Sequence, residues 1–356
     1  MYIKKILLAI ALLGLVVLGY FSYQIYTAIF SPNTDFPTDS KAVYVPTNAN
    51  FDSIRKQLKP ELKNWDNFVD VAERKSYIRN LKAGHFVIEK GMNNNEIVNT
   101  LRSKNTPIYV IFNNQNRFEN LAGRVSEQIE ADSLSLLKTL RDTSFYSKNA
   151  IDFEDALAMY VPNKYEFYWN TSAKDFRERM LKEYKRFWND NRLKKAEEIG
   201  LSKEQVSVLA SIVKAETAEV EERDRVAGVY MNRLKKGWKL QADPTVIYAL
   251  KNKLKNRDTI IRRVLYKDLE IKSPYNTYQN VGLPPGPIAM PDISAIEAVL
   301  NYEKHDYFYF VGDIKRPGYH KFAKTLRQHN INKQEYQRWI NKQGIMRGKF
   351  KELEQR

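Results

Sequence analysis

Residues 201–220, LSKEQVSVLASIVKAETAEV, have the apolar spacing of an amphipathic α-helix. Ser202 followed three residues later by Gln205 has the pattern of a capping box, which predicts that the helix begins here. One side of the predicted helix holds four apolar residues at helical spacing, namely Val206, Leu209, Val213 and Val220. The position of that series between the last two valines is occupied by Glu216. The pattern therefore predicts a carboxyl group on the side of the helix that faces the core.

The position of Glu216 suggests acid–base chemistry. Burial disfavours the charged form of a carboxyl group, so its pKa rises and it can keep a proton near neutral pH. Such a group can act as a general acid, because it can give that proton to a leaving group. The alternative is a glutamate at the edge of the apolar side, paired with a lysine or solvated. Helical periodicity alone favours that alternative.

The composition indicates a folded, basic chain. Its 356 residues are enough for two or three domains, and 43% of them are hydrophobic. Lys and Arg outnumber Asp and Glu by 58 to 42, a formal charge of +16. Such a charge suits an anionic partner, either nucleic acid, a membrane surface or an acidic polymer. Because the basic residues are scattered and no nucleic-acid motif accompanies them, we predict no nucleic-acid partner.

The sequence offers no metal or cofactor motif. Cysteine is absent, which excludes disulfides and thiolate metal sites. The four histidines show no metal-ligand spacing; they are His85, His305, His320 and His329. We therefore predict no metal site and no cofactor.

The first 30 residues predict a membrane anchor. Lys4 and Lys5 precede an uncharged run over residues 6–26, and a bilayer core needs about 20 such residues. The two lysines place the N-terminus in the cytoplasm by the positive-inside rule. The alternative, a cleaved signal peptide, has a shorter apolar region of about 7–15 residues and a small-residue cleavage site. We predict a single-pass protein of the inner (cytoplasmic) membrane, with everything after Phe30 outside the cytoplasm.

The next part of the chain predicts an α+β region. Residues 31–40, SPNTDFPTDS, have the composition of a linker. Residues 41–106 alternate predicted strands and helices, beginning with the strand KAVYVP and the helix NFDSIRKQL. They end with a strand and a helix in AGHFVIEKGMNNNEIVNTLRS, where Asn94 or Asn95 can cap the helix. Residues 107–170 form a connecting region, with a helical stretch over 118–140 and an extended aromatic segment, MYVPNKYEFYW.

Residues 171–345 predict a mainly helical α+β domain, and residues 346–356 form a charged tail. The first helical pattern stops at Gly200, and the chain breaks again at Gly237 and Pro244. The segment SPYNTYQNVGLPPGPIAMPD fits no regular element and predicts an ordered surface loop. Its tyrosines and asparagines are typical of surfaces that bind sugars, although a purely structural loop explains them equally well. A helix, AIEAVLNY, and a strand, YFYFVG, follow it.

Three long segments of this last domain resemble the signatures of one family, the MltG-type (YceG-like) endolytic murein transglycosylases. The first is LASIVKAET followed by ERDRVAGVYMNRLKKGWKLQADPTVIYAL, the second is SPYNTYQNVGLPPGPIAMP, and the third is YFYFVG followed by GYHKFAKTLRQHN. More loosely, LKAGHFVIEKGMNNNEIVNTL resembles the LysM-like subdomain of the family. The resemblance therefore implies an anchor, a LysM-like α+β subdomain over residues 41–106, a middle region, and a catalytic domain over residues 171–345.

The resemblance also implies a reaction. Members of the family cleave glycan strands between N-acetylmuramic acid and N-acetylglucosamine and leave a 1,6-anhydro end. Their catalytic glutamate is the second in the pattern E-K-E-T, and because the first is Lys214 here, the role falls to Glu216. Two other segments, FNNQNRF and MPDIS, depart from the family pattern. Wall-synthesis or division proteins are the expected partners, together with the peptidoglycan glycan strands.

By resemblance and by chemistry, five residues are predicted to hold the glycan: Gln241, Asp243, Tyr275, Asn276 and Tyr278. Asp243 also suits a turn, because it precedes Pro244. Two other functions stay open at this point. One is a wall-binding scaffold without catalysis, and the other is a basic protein that binds anionic polymers by charge alone, with an affinity that added salt would abolish.

Overall fold

The computed structural model describes residues 2–254, 259–261 and 264–354, with the side chains of the last helix described as far as residue 343. Within those residues it combines helices with three two-stranded sheets, in agreement with the predicted mixture of helix and strand. The chain divides into two compact units. Unit 1 consists of Met1–Val110, Arg124–Ser135 and Lys164–Ala173, and unit 2 of Ile111–Gly123, Leu136–Asn163 and Lys174–Arg356. The predicted middle region, residues 107–170, is thus shared between them.

The N-terminal helix α1, Tyr2–Phe30, contains the uncharged run that predicts a membrane anchor. None of its residues is buried, and it is long and apolar enough to cross a bilayer. Its last turn joins the rest of unit 1, since the Asn94 side-chain amide donates to the Ala28 carbonyl oxygen at 2.8 Å. The apolar helix is therefore fixed at one end to folded protein.

Part of the segment 31–40, predicted as a linker, is packed into unit 1. Asn33 and Phe36 are buried. The Asn33 amide donates to the Asn64 carbonyl oxygen at 2.8 Å and to Asn94 Oδ1 at 2.6 Å. The polar composition that suggested a linker instead supplies side chains that satisfy buried polar groups.

A small sheet and three helices form the core of unit 1. In chain order they are β1 (Ser40–Val45), α2 (Phe51–Leu58), α3 (Trp65–Arg74), β2 (Gly84–Glu89) and α4 (Asn94–Ser103). The two strands pair antiparallel, with Val43 opposite Phe86. Val43 and Val45 are buried while Tyr44 between them is exposed, as expected for a strand with one face on the core.

The N-cap of α4 lies one residue earlier than predicted. Asn93 accepts from the Glu96 backbone, and the Glu96 side chain accepts in turn from the Asn93 backbone, so the two form a capping box. The prediction of Asn94 or Asn95 was wrong because Asn94 is buried and bonded to Asn33. In a run of three asparagines, tertiary contacts decide which one caps the helix.

The middle of the chain contains a second sheet and three short helices. They are β3 (Ile108–Phe112), α5 (Phe118–Ser126), α6 (Ser133–Leu140), α7 (Thr143–Lys148) and β4 (Asn163–Phe167), and the two strands pair with each other. The predicted helix over 118–140 is therefore two helices. Asp132 begins the second of these, because its Oδ1 accepts from the backbone of Leu134 and Ser135, each at 2.9 Å. The aromatic segment 159–169 is extended over β4, as predicted.

The chain from Ala173 onward is mainly helical. It contains α8 (Ala173–Phe187), α9 (Asp190–Glu198), α10 (Lys203–Glu216), α11 (Arg223–Lys235), α12 (Asp243–Lys253), α13 (Ile293–Leu300), β5 (Tyr309–Gly312), β6 (His320–Ala323) and α14 (Leu326–Glu354). β5 and β6 form an antiparallel hairpin. Gly200 ends the helical pattern after α9 with a φ of +76°, which suits glycine because other residues are strained there.

Helix α10 is packed by α11, α12 and α13. It starts with the predicted capping box of Ser202 and Gln205, and the predicted Val206, Leu209 and Val213 are buried. The predicted place of Val220 on the same side was wrong, because Thr217 is extended and ends the helix. Val220 is 57% exposed in a short 3₁₀ helix. Glu216 is consequently the last residue of α10.

The two predicted breaks after α11 differ in kind. Gly237 follows the end of α11 with a φ of +66°, as a break requires. Pro244 instead lies in the first turn of α12 and starts a helix, because a proline there loses no helical hydrogen bond. Gln241 between them has a positive φ of +53°. Gln241 thus turns the chain just before α12 begins.

Candidate active site

Glu216 lies half-buried at the C-terminal end of α10. Its Oε1 accepts a hydrogen bond of 2.6 Å from the hydroxyl group of Tyr230. In the described part of the chain its other carboxyl oxygen, Oε2, has no hydrogen-bond partner. One oxygen is therefore fixed by the protein while the other is free to meet a substrate.

The surroundings of Glu216 raise its pKa to about 7, chiefly through burial. The hydrogen bond from Tyr230 lowers the pKa, as do the charges of His320 and Arg233, whereas the negative Asp243 raises it. Burial is the largest of these effects, so the carboxyl group exchanges its proton near neutral pH. Glu216 can therefore be a proton donor and a proton acceptor under the same conditions.

Tyr230 and Arg233 lie three residues apart on α11 and share one face of that helix. Tyr230 is buried, and burial raises its pKa well above the usual value, so it stays a hydrogen-bond donor. Arg233 is also buried, and it donates to the carbonyl oxygens of Phe308 at 2.7 Å and Leu240 at 2.8 Å. Neither residue was predicted from the sequence. The sequence did offer one signal for them, which is two polar side chains three residues apart within the largely apolar segment VAGVYMNRL.

Arg233 connects the site to one of the predicted glycan-binding residues. Its Nη1 donates to the Gln241 side-chain oxygen at 3.3 Å. The Gln241 backbone donates to the Thr277 carbonyl oxygen at 3.1 Å, which joins it to the tyrosine-rich loop. The side chain of Gln241 is exposed, so it can also bond to a sugar.

The structure brings Asp243 and Tyr278 together beside Glu216. The Tyr278 hydroxyl group donates to Asp243 Oδ1 at 2.6 Å. Burial, then the hydrogen bond to Asp243, and then the negative charges of Asp243 and Glu216 raise the pKa of Tyr278. Asp243 is exposed at the start of α12, so it is a second acidic residue at this edge of the site.

Tyr275 and Asn276 occupy different positions in the loop. The ring of Tyr275 packs on Tyr248, with centroids 4.6 Å apart. Burial and then Tyr248, Glu154 and Asp155 raise its pKa. Tyr275 is therefore held against α12, which carries Tyr248.

Asn276 is fully buried and bonded within the loop. Its side-chain amide donates to the carbonyl oxygens of Leu269 and Ile271, both at 2.9 Å, and its Oδ1 accepts from the Tyr278 backbone at 2.9 Å. This geometry fixes the loop that presents Tyr278. The loop has no helix or strand, as predicted, but buried polar side chains hold it together as well as its prolines.

A third acidic residue, Glu222, lies just after α10 in the chain and is paired with His320 on β6. Glu222 is 5% exposed. Its Oε1 accepts from the His320 backbone at 2.8 Å, and its Oε2 lies 2.7 Å from Nδ1 of the ring. Within the residues that the structure describes, no group of three His, Asp or Glu side chains is arranged to hold a metal ion.

Comparison with known proteins agrees with the predicted family. The sequence profile of the YceG-like family matches residues 43–335. This chain belongs to the YceG-like family. A Bacillus subtilis protein named endolytic murein transglycosylase is 34% identical to the YceG-like chain over 277 residues, which are 72% of this chain and 73% of the relative.

Two further relatives extend the comparison. A Streptococcus pneumoniae protein with the same name is 27% identical over 353 residues, covering 89% of this chain but 62% of the relative. A crystal structure of a YceG-like protein from Listeria monocytogenes has 30% sequence identity and a TM-score of 0.54, and the match covers 82% of this chain and 98% of that one. The chain therefore has a YceG-like fold.

Proposed function

We propose that this chain is a membrane-anchored lytic transglycosylase that cleaves peptidoglycan glycan strands internally, between N-acetylmuramic acid and N-acetylglucosamine. The observation that carries the proposal is the half-buried Glu216, with a pKa of about 7 and a free carboxyl oxygen in the described part of the chain. The names of the Bacillus and Streptococcus relatives support the same activity.

Glu216 acts first as a general acid. Because its Oε1 accepts from Tyr230, the proton resides on Oε2, which faces the substrate. It passes to the oxygen that links the two sugars. The bond from C1 of the N-acetylmuramic acid to that oxygen breaks, and its electrons leave with N-acetylglucosamine. The 2-acetamido group shields the cationic centre that develops at C1.

Glu216 then acts as a base. The C6 hydroxyl group of the same N-acetylmuramic acid attacks C1, and the ionised Glu216 accepts its proton, which restores the acid and closes the 1,6-anhydro ring. A glycosidase that uses water needs two carboxyl groups flanking the bond. A nucleophile within the substrate lets one carboxyl group serve both transfers. A pKa near the working pH suits both directions of transfer.

Four exposed or half-buried residues hold the glycan near Glu216: Gln241, Asp243, Tyr275 and Tyr278. Tyrosine rings stack on sugar faces, while the Gln241 amide and the Asp243 carboxylate bond to hydroxyl groups. Asn276, also predicted to touch the glycan, acts by fixing the loop, because it is fully buried. Arg233 positions Gln241 through its hydrogen bond.

The proposed function assigns a role to each part of the chain. Helix α1 anchors the protein in the inner membrane with its N-terminus in the cytoplasm. The chain after Phe30 therefore lies outside the cytoplasm. Residues 41–106 are a LysM-like subdomain that grips glycan, and residues 171–345 carry the chemistry. Peptidoglycan-synthesis or division proteins in the same membrane are the proposed partners.

Replacing Glu216 tests the chemistry. Full-length protein in detergent should convert purified glycan strands to products with 1,6-anhydro ends, detected by mass spectrometry, and Glu216→Gln should lower that rate about 10²–10⁴-fold. The matched control is Glu221→Gln, since Glu221 is exposed nearby and should leave the rate unchanged.

Three results would overturn the proposal. Anhydro ends at the wild-type rate from Glu216→Gln would remove this residue from the mechanism. Water-terminated products from the wild type would indicate a hydrolase. Glycan binding without new chain ends would indicate a non-catalytic scaffold.

A further inference from the structure

A cavity of about 640 Å³ in unit 2 lies outside the residues to which the proposed chemistry gives a role. We call it the side cavity. Its walls come from the 3₁₀ helix Phe153–Met159, the turn between α9 and α10, the first turns of α10, the end of α11, and the loop segment 281–285. All of these segments belong to unit 2. Its volume is typical of small-ligand sites, which occupy about 300–1,000 Å³.

The wall of the side cavity is mostly apolar, with two carboxyl groups in it. Its apolar residues include Leu201, Val208, Met231, Leu234 and Leu283. Its carboxyl groups are those of Asp155 and Glu204. Glu204 already has partners, because Lys203 Nζ lies 3.6 Å from it and the Ser202 hydroxyl group donates to it at 2.8 Å. The charge of Glu204 is therefore partly compensated by the protein.

Asp155 is the other acidic residue of the side cavity, and it is held differently. Its Oδ1 is buried and has no hydrogen-bond partner within the residues that the structure describes. Burial, followed by the negative charge of Glu204 and of two other carboxyl groups, raises its pKa to about 6. Lys235, a basic residue of the same wall, donates its Nζ to the Tyr302 hydroxyl group at 2.6 Å. A cation that approached Asp155 would therefore stabilise its ionised form.

Apolar walls around a buried carboxyl group suit an aliphatic amine. The hydrocarbon chain of such an amine packs against apolar residues while its charged end stays on a polar group. An ammonium group also makes a strong, charge-assisted hydrogen bond to a carboxylate. A sugar suits this wall less well, because burying its hydroxyl groups against leucine and proline side chains is costly. The side cavity thus favours the side chain of a diamino acid.

The side cavity and the candidate active site are built from the same elements. Helix α10 carries Glu216 at its end and Val208 of the cavity wall eight residues earlier, which is about 12 Å along the helix axis. Helix α11 also contributes to both. The loop that presents Tyr278 continues directly into the wall segment 281–285. A ligand in the side cavity is therefore within reach of a polymer bound at Glu216.

The loop wall of the side cavity is fixed on both sides. A Cβ at Gly286 would come within 2.6 Å of the Glu154 carbonyl oxygen, so the loop lies directly against the 3₁₀ helix that carries Asp155. Two residues later, the Ile288 backbone donates to Ser211 Oγ of α10 at 3.1 Å. The side cavity is consequently formed before a ligand binds, which lowers the entropy cost of binding.

We propose that the side cavity binds the diamino acid side chain of a peptidoglycan peptide stem, with its ammonium group at Asp155. The inference rests on the proposed function, which brings N-acetylmuramic acid to Glu216. That sugar carries a peptide on its lactyl group, and the third residue of the peptide is a diamino acid such as lysine. An extended tripeptide spans about 10 Å, and the lactyl group and the lysine side chain add to this reach. The stem can therefore extend from a sugar at Glu216 into the side cavity.

Acetylating the substrate amines tests the ligand. Full-length protein in detergent is given uncrosslinked glycan strands whose stems carry lysine as the third residue, before and after acetylation of the lysine amines. Acetylation removes the positive charge and leaves the sugars and the peptide backbone intact. We expect KM for anhydro-end formation to rise about tenfold, for the loss of one charge-assisted hydrogen bond. The value of kcat should stay unchanged, because this contact is the same in the ground state and the transition state.

Replacing Asp155 tests the residue. Asp155→Asn keeps the shape of the side chain and removes its charge, so KM for strands with free amines should rise about tenfold. For acetylated strands it should not rise further, because the same contact is already lost. Glu204→Gln, a second variant, should raise KM less, since Lys203 already compensates Glu204. A variant that fails to fold loses activity on both kinds of strand and is recognised in this way.

Asp306→Asn is the matched control. The Asp306 side chain is 80% exposed and pairs with Lys324 at 3.0 Å, and it does not line the side cavity. This variant should keep the wild-type KM for strands with free amines and for acetylated strands.

Three results would overturn the inference: equal KM values of the wild type for both kinds of strand, a preference for free amines that survives in Asp155→Asn, or its loss in Asp306→Asn. The first result would leave the side cavity to another cation, such as a lysine of a partner protein. In each case anhydro ends still form and the proposed function stands. A wild type that makes no anhydro ends from either kind of strand overturns both.

Discussion

Two glutamates at the end of α10 and just beyond it are held in opposite ways. Glu222 is 5% exposed and both of its oxygens are bonded to His320. Glu216 is half-buried and accepts from Tyr230 alone, with Oε2 free among the described residues. Burial without a full set of donors favours the protonated form of a carboxyl group, which is the form a general acid needs. The number of hydrogen-bond donors, and not the depth of burial alone, therefore distinguishes Glu216, which can carry a proton, from Glu222, which is held by His320.

The largest expected difference between the two glutamates is in the stability of their Gln variants. The pKa of Glu216 is raised from 4.5 to about 7, so between these values the unfolded chain loses a proton that the folded chain keeps, and wild-type stability falls as pH rises. Glu216→Gln removes this penalty. It should raise the free energy of unfolding at pH 8 by about 3 kcal/mol, with no gain at pH 4.

Glu222→Gln should have the opposite effect at pH 8. Gln has one acceptor oxygen, so at least one hydrogen bond from His320 is lost, which costs about 1.5–3 kcal/mol. Chemical denaturation of full-length protein in detergent, followed by tryptophan fluorescence, measures both variants. Stabilisation by both, or destabilisation by both, would contradict the difference between the two glutamates.

Tyr230→Phe should have a smaller effect that sharpens the same comparison. It removes the donor to Glu216 Oε1 while keeping the ring packed on Phe310. In the pH profile of kcat/KM, the rate should fall on the alkaline side as Glu216 loses its proton. Because this hydrogen bond lowers the pKa of Glu216, its loss should move that alkaline limb up by about one pH unit. Tyr302→Phe is the matched control, since the Tyr302 hydroxyl group accepts from Lys235 elsewhere in the unit. An unchanged limb in Tyr230→Phe would mean that the hydrogen bond does not tune the acid.

The sequence was sufficient where local rules decide the outcome. The capping box of Ser202 and Gln205 and the buried Val206, Leu209 and Val213 follow from helical periodicity, and they place Glu216 near the core. Local rules failed where the chain changes direction. Val220 leaves the buried side because Thr217 is extended, and Asn93 rather than Asn94 caps α4 because Asn94 is used in a tertiary contact.

The partners of Glu216 and Glu222 could not be predicted, because they come from separate elements. Tyr230 lies on the next helix, and His320 lies about 100 residues along the chain in a hairpin. Periodicity along one helix says nothing about which side chain of another element reaches its end. The family resemblance pointed to the segments that carry these residues but not to their roles. Asn276 shows the same limit. The composition of its segment suggested sugar binding, whereas the buried Asn276 side chain holds the loop in place.

Infrared titration of full-length protein in detergent, recorded as a difference against Glu216→Gln, measures the protonation of this one carboxyl group most directly. We expect a protonated carboxyl band that disappears with a midpoint near pH 7. A midpoint near 4.5, the ordinary value for glutamate, would contradict the claim that Glu216 both gives and recovers a proton at neutral pH.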